Sequence, residues 1–198
     1  MCIDVVPPKP GAVKEPYCIF TDSKFADGRG ISFFTSKKIM DATLTDTPWT
    51  DPDLIKGMND LINPPWGPPP YESRWFPGKG IGLVANRTIV RGERIMQETP
   101  SYVYNRDIFT MIDEENRLPL QWHAAFQLPK HTRDELLALH KHHGGDEIDD
   151  LMRTNAFGAY YGDDELHNNI LPRISRFNHD CRPKSVEPLF SHSFNFKI

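Results

Sequence analysis

The sequence predicts a mostly β protein with a helical insert, an α+β chain built of short strands. Three observations predict it. Proline supplies 18 of the 198 residues; it fixes φ and offers no N–H, so long elements are broken and short strands with many turns are favoured. Short apolar runs such as Tyr17-Cys18-Ile19-Phe20 and Ile81-Gly82-Leu83-Val84 are bounded by turn residues. Helical periodicity is concentrated between residues 107 and 157.

Length and composition bound the function. A chain of 198 residues buries one substantial core, and 25% charged with 38% hydrophobic residues is an ordinary folded composition. The net charge of −4 and pI near 6.0 argue against nonspecific nucleic-acid binding; they suit a basic peptide as partner, and the same charge also simply keeps a protein in solution. No apolar run has the length of a membrane span, and residues 1–8 lack the basic start and apolar core of a secretory signal, so no membrane partner is expected. Cys2, Cys18 and Cys181 are too few and too scattered for a zinc module or a disulfide framework. A reducing, intracellular setting, cytoplasm or nucleus, is the expectation.

Taken in order, residues 1–16 read as an extended, proline-rich lead-in, and the first strand begins near Tyr17. Gly28 to Ile39 aligns without gaps on Gly78 to Ile89, giving two glycine turns each followed by a cation and a short apolar strand. The second copy continues through Val90-Arg91-Gly92-Glu93-Arg94-Ile95-Met96-Gln97-Glu98 as a turn and strand; the first reads as a structural strand packed alongside. Leu54, Ile55, Met58, Leu61 and Ile62 predict an amphipathic helix opened by Thr50 or Asp51. Asn63 to Tyr71 is a stiff proline-rich linker, and Pro68-Pro69-Pro70-Tyr71 also matches a WW-domain ligand pattern. Residues 1–70 thus form an N-terminal proline-rich extension with a short strand and helix, and residues 71–198 the main domain.

Within the insert, Pro119 opens a helix that Pro129 stops. Thr132-Arg133-Asp134-Glu135 reads as a capping box, with Gly144 as a left-handed terminator. His140, His142 and His143 crowd that helix end without a cysteine beside them, so no metal site is assigned. In the next helix Ile148, Leu151, Met152 and Asn155 share one face, which puts the Asn155 amide among apolar neighbours. That amide either bonds main chain alone or reaches a ligand. Residues 158–169 read as a polar loop.

The most informative stretch is Asn178-His179-Asp180-Cys181-Arg182-Pro183, a polar run flanked by apolar residues. A buried Asn-His pair needs partners, because each unmet donor or acceptor costs roughly 1–3 kcal/mol; it either holds a turn or faces a polar ligand. This run resembles the Asn-His-Ser-Cys-x-Pro-Asn signature of SET-domain protein lysine methyltransferases. Gly78-Lys79-Gly80-Ile81-Gly82-Leu83-Val84-Ala85 resembles that family's glycine cofactor loop, and Thr154-Asn155-Ala156-Phe157 its SET–MYND Asn-x-Phe element. The resemblance covers residues 76–190.

The resemblance implies a SET-type fold of short curled sheets and an S-adenosyl-L-methionine-dependent transferase acting in protein methylation, with a protein or peptide lysine as substrate. It places Lys79, Gly80 and Ile81 at the methionine end of the cofactor, Asn178 and His179 at its amino and adenine side, and Asn155 beside them. No catalytic residue is assigned, because the family's tyrosine segment has no counterpart after Tyr161. Asp180 replaces the signature's serine and Lys184 its last asparagine. The expectation is therefore a SET-type fold incomplete at its C-terminus, an enzyme where the tyrosine segment is supplied. The alternatives are a catalytically inactive or truncated SET-like protein that binds cofactor or a protein partner, and an interaction module working through the proline-rich linker.

Overall fold

The computed structural model describes residues 1–7, 10–45, 67–78, 80–162, 165–177, 189–190 and 193–197. It is an α+β fold, with a mixed six-stranded sheet and a few helices. The predicted helix of residues 50–63 and the linker's residues 63–66 lie outside the described residues, as do Lys79, Asn178 and His179.

The main sheet runs β1-β2-β3-β7-β9-β8. Its strands are β1 (Cys2–Val5), β2 (Glu15–Asp22), β3 (Ile31–Ser36), β7 (Tyr102–Asn105), β8 (Ala156–Tyr161) and β9 (Glu165–Ile170). Only the β3–β7 pairing is parallel; the others are antiparallel. Strands from both sides of residue 70 thus build one sheet. The lead-in differs from expectation: residues 2–5 pair with β2, and Cys2 stands directly opposite Cys18, to which it is disulfide-bonded. Spacing alone hid this partnership, because the antiparallel register brings together cysteines 16 residues apart.

All six residues of β3 are buried, as a strand covered on both faces requires. Successive side chains point to opposite faces. Phe34 joins Ile19, Tyr102 and Tyr104 beneath the helical insert, while Ile31 and Phe33 join Val103 and Tyr161 beneath α1 (Lys37–Thr45), which contributes Ile39 and Met40. Burying each such side chain contributes roughly 1.5–3 kcal/mol. Before β3, Ala26, Asp27, Gly28 and Gly30 all take positive φ. At Gly30 a Cβ would lie 2.5 Å from the Pro129 ring, so both the left-handed backbone and the close approach require glycine.

The insert comprises α2 (Ile108–Met111), α3 (Glu114–Gln127), α4 (Lys130–Leu137) and α5 (Glu147–Thr154). Pro119 does not open α3. Asp113 caps that helix by accepting the Asn116 N–H at 2.9 Å, and Pro119 sits inside it. The missing N–H is offset by tertiary contacts: Leu120 and Ala124 are buried, and Arg117 grips Asp149 of α5 through two N–H donors at 2.6 and 3.2 Å.

The capping box is not formed either. Thr132 donates to the Arg29 carbonyl and Glu135 binds arginines elsewhere in the fold, so both side chains serve tertiary contacts. Gly144 takes φ +77 but lies in the loop after α4, where its N–H donates to Asp150 at 2.7 Å. The helix carrying Ile148, Leu151 and Met152 is as predicted; Asp146 caps it, and those three side chains are buried. Residues 158–169 are not a loop: β8 and β9 pair antiparallel, with Phe157 opposite Asn169 and Ala159 opposite His167. Polar residues at inward positions disguised this strand. His167 and Asn169 are fully buried, satisfied in part by Thr35 and Tyr161.

Two smaller sheets adjoin. β4 (Tyr71–Phe76) and β5 (Gly80–Ala85) form the glycine hairpin, while β6 (Arg94–Glu98) pairs with β11 (Ser193–Lys197), which also pairs with β10 (Leu189–Phe190). The hairpin partner of β5 is thus β4, which precedes the glycine turn, and not β6, which follows β5 in sequence and pairs with β11.

Candidate functional site

The site builds upward from the pairing of β4 with β5. Tyr71, Ser73 and Trp75 stand opposite Ala85, Leu83 and Ile81, so the period of two puts all six side chains on one face. Gly80 at the turn has φ +74 with open space where a Cβ would lie, whereas Gly82 packs under Phe76. The inner half of that face is covered. Tyr71 and Leu83 pack with Met96 of β6, Leu171, Ile174 and Phe177, and the rings of Tyr71 and Phe177 meet edge to face at 6.4 Å. The outer half is bare, with Trp75 and Ile81 exposed.

The opposing wall is the segment after β9, which forms a 3₁₀ turn at Ile174–Arg176. The short turn is held at its start by Glu98, a fully buried carboxylate at the end of β6. Glu98 accepts the Arg173 N–H at 3.0 Å and the Ile174 N–H at 2.8 Å. Burial pushes its carboxyl up to about 7, against the lowering effects of the Ile174 N–H and the charges of Arg29 and Arg173. Around it Arg29 lies 3.7 Å from Glu98 and 2.8 Å from Glu135, and Arg173 donates to Glu135 at 3.1 Å. For Glu135 burial acts upward, but the Arg29 hydrogen bond and the two guanidinium charges outweigh it and hold the carboxyl below its usual range.

Between hairpin and turn lies a cleft of about 280 Å³. Leu83, Met96 and Pro172 give it apolar walls, and Tyr71, Glu135, Arg173 and Arg176 give it polar ones. Burial raises the Tyr71 hydroxyl pKa, with Arg173 opposing, so it is a neutral hydrogen-bonding group. Arg173 is committed to Glu135. The Arg176 guanidinium has no side-chain partner among the described residues, which leaves a planar donor fork for an anionic group. Chemically the cleft suits an elongated, partly apolar ligand with an anionic end.

The predicted site residues distribute unevenly around this cleft. Gly80 and Ile81 lie at the outer end of the hairpin whose inner end forms the wall, and neither lines the cleft itself. Asn155 is buried at the end of α5, but its amide donates to the carbonyls of His140 at 2.8 Å and Leu151 at 2.9 Å. Both N–H groups are used by main chain. Phe157, two residues on, packs in the cluster that floors the cleft. Asn178 and His179 come directly after Phe177 in sequence and lie outside the described residues.

Sequence reasoning missed Glu98, Glu135, Tyr71 and Arg176. The available signal was Arg173 and Arg176 flanking Ile174 just before the Asn-His pair, one turn apart. Among the described residues no group of three or more His, Cys, Asp or Glu side chains is placed to hold a metal ion. His142 and His143 instead offer main-chain N–H groups to Asp150 at 2.7 and 2.9 Å. Compared with protein-family models, curated proteins and solved structures, the chain matches none.

Proposed function

We propose that the chain is a SET-type, S-adenosylmethionine-dependent protein lysine methyltransferase, with its cofactor bound where the glycine hairpin meets the segment leading into Asn178 and His179. One observation supports the reading: Tyr71 and Leu83 pack with Ile174 and Phe177, so the hairpin that carries the glycine turn lies against the segment that leads in sequence into the Asn-His motif.

The fit of the residues to the cofactor is chemical. The open face at Gly80 admits a ligand against backbone. The backbone of Gly80 and Ile81, with Lys79 next to them in sequence, takes the methionine end, and the Arg176 guanidinium, without a side-chain partner among the described residues, is a second partner for its carboxylate. Asn178 and His179 take the amino and adenine side. Asn155 acts one step removed, fixing the end of α5 from which Phe157 enters the floor. The cofactor, when bound, supplies a methyl on sulfonium. The chain's task is to align a neutral lysine nitrogen with that methyl and exclude water.

A second reading, binding without turnover, is favoured by the Asn155 amide, whose donors are already committed to main chain. Incubation of the folded chain with methyl-labelled S-adenosylmethionine and a mixed protein extract separates the two. Label in protein lysines supports the transferase. Saturable binding of S-adenosylhomocysteine without label supports the second reading, and neither result leaves no place for the cofactor.

A further inference from the structure

A second cavity, of about 330 Å³, lies under the loop between β1 and β2 and shares no lining residue with the cleft. Its described lining carries the carboxylates of Glu15, Asp107 and Glu165 against one ammonium, Lys38. Carboxylates at a surface are usually just solvated, but here a second feature points inward. Tyr17 is 2% exposed, its ring is part of the main core, and its hydroxyl reaches this cavity with no hydrogen bond among the described residues. The ring is buried while the hydroxyl opens on the cavity, where its donor and acceptor are available to a polar guest.

The surrounding groups define that guest. The Asp107 and Glu15 carboxylates make no hydrogen bond or ion pair within the described residues, and Asn105 holds the Asp107 backbone by accepting its N–H at 2.9 Å. Coulombic repulsion from Glu15, Glu165 and Asp107 raises the Tyr17 pKa further beyond the effect of its burial, so all three charges bear on the hydroxyl. Yet these carboxylates do not form a metal-ligating group. A compact ion bonded to several of them at once is therefore a poor fit, whereas a cation with separated N–H donors and an apolar stem fits. The stem would lie along Met111, Ile39 and Val13.

We infer that this cavity is a binding site for an alkylammonium group, with Asp107 and Glu15 as its counter-charges and the Tyr17 hydroxyl as its neutral acceptor. The group can belong to a free small amine or to a lysine side chain of a peptide. Both sources present the same head and differ only beyond the stem.

The test is calorimetric titration of the full chain with n-butylamine and, separately, with Nα-acetyl-lysine N-methylamide, each against its Nε-acetylated or amide counterpart. Saturable binding of a charged probe, absent for the neutral counterpart, is expected. The Asp107→Asn and Glu15→Gln double variant should weaken it at least about tenfold, and Tyr17→Phe about fivefold, the equivalent of one hydrogen bond. Amide chemical-shift changes at Asp107 and Asn105 in the unsubstituted chain give a readout that needs no variant. Tighter binding of the lysine derivative identifies a peptide source; tighter binding of butylamine identifies a free amine. No saturable binding, equal binding of the neutral counterparts, or binding indifferent to both variants would overturn the assignment.

Discussion

The Glu98 carboxylate accepts the Ile174 N–H at 2.8 Å, joining the end of β6 to the 3₁₀ turn across 76 residues of sequence. This bond, with the parallel one from Arg173, positions the chain that enters the Asn-His motif. Glu98→Ala leaves two N–H groups without their acceptor and removes a buried charge partner of Arg29. The expected loss is about 3 kcal/mol by denaturant unfolding, with Glu98→Gln milder because it keeps one acceptor oxygen. A loss under about 1 kcal/mol for the alanine variant would show that the turn is held by other means.

Glu98 and His167 predict a pH profile of unusual shape. Burial raises Glu98 from 4.5 to about 7, so between those values the folded chain keeps a proton that the unfolded chain releases, and stability falls as pH rises. His167 is fully buried. Its Nδ1–H donates to the Glu165 carbonyl at 2.9 Å and its Nε2 accepts from Thr35 at 2.8 Å. Burial lowers its pKa from 6.5 to about 4, so its contribution is complete above 6.5 and lost as pH falls through 4. Each effect amounts to roughly 3 kcal/mol, and they oppose one another over pH 4.5–6.5. Urea unfolding should therefore show nearly flat stability in the unsubstituted chain and stability climbing with pH in Glu98→Gln. An identical profile in both would refute the assignment to Glu98.

Arg117 and Asp149 are a buried pair between α3 and α5, with a third Arg117 donor on the Ile112 carbonyl at 2.8 Å. Arg117→Met strands the carboxylate and should cost about 3–5 kcal/mol. The Arg117→Met, Asp149→Leu double variant should recover much of that loss. Without recovery, the arginine's value lies in its packing over Phe109, 4.8 Å from the ring centroid, rather than in its charge.

The Cys2–Cys18 disulfide ties β1 to the sheet through a closed loop of 16-residue separation. Loop-closure entropy puts its contribution at about 3 kcal/mol. Thermal unfolding with and without dithiothreitol should reveal a reduced chain that is less stable, with exchange of the β1 amides accelerated ahead of β2. Equal protection of β1 in both states would contradict this.

The sequence made legible those elements whose local signals and tertiary needs agree. Ile148, Leu151 and Met152 share a helix face and are buried together; the Gly80 turn and the strand after it are where the glycine spacing puts them. It failed where side chains with local signatures are spent on distant partners. Thr132 and Glu135 spell a capping box but bind Arg29, over a hundred residues away in sequence. His167 and Asn169 spell a loop but occupy an interior strand, where Thr35 bonds the His167 ring and Tyr161 the Asn169 carbonyl oxygen. At the cleft, the Arg176 fork and the Glu98 clamp depend on which strands pair, which no local pattern encodes. The Asn155 amide was correctly placed on a buried face, and it is main chain that takes both of its donors.

The most direct test of the account is calorimetric titration of the folded chain with S-adenosylhomocysteine, repeated for Arg176→Gln and Asn178→Ala. The account predicts saturable one-to-one binding, weakened at least about tenfold in each variant without loss of cooperative unfolding. Absence of binding by a chain that unfolds cooperatively, or binding untouched by both substitutions, would contradict it.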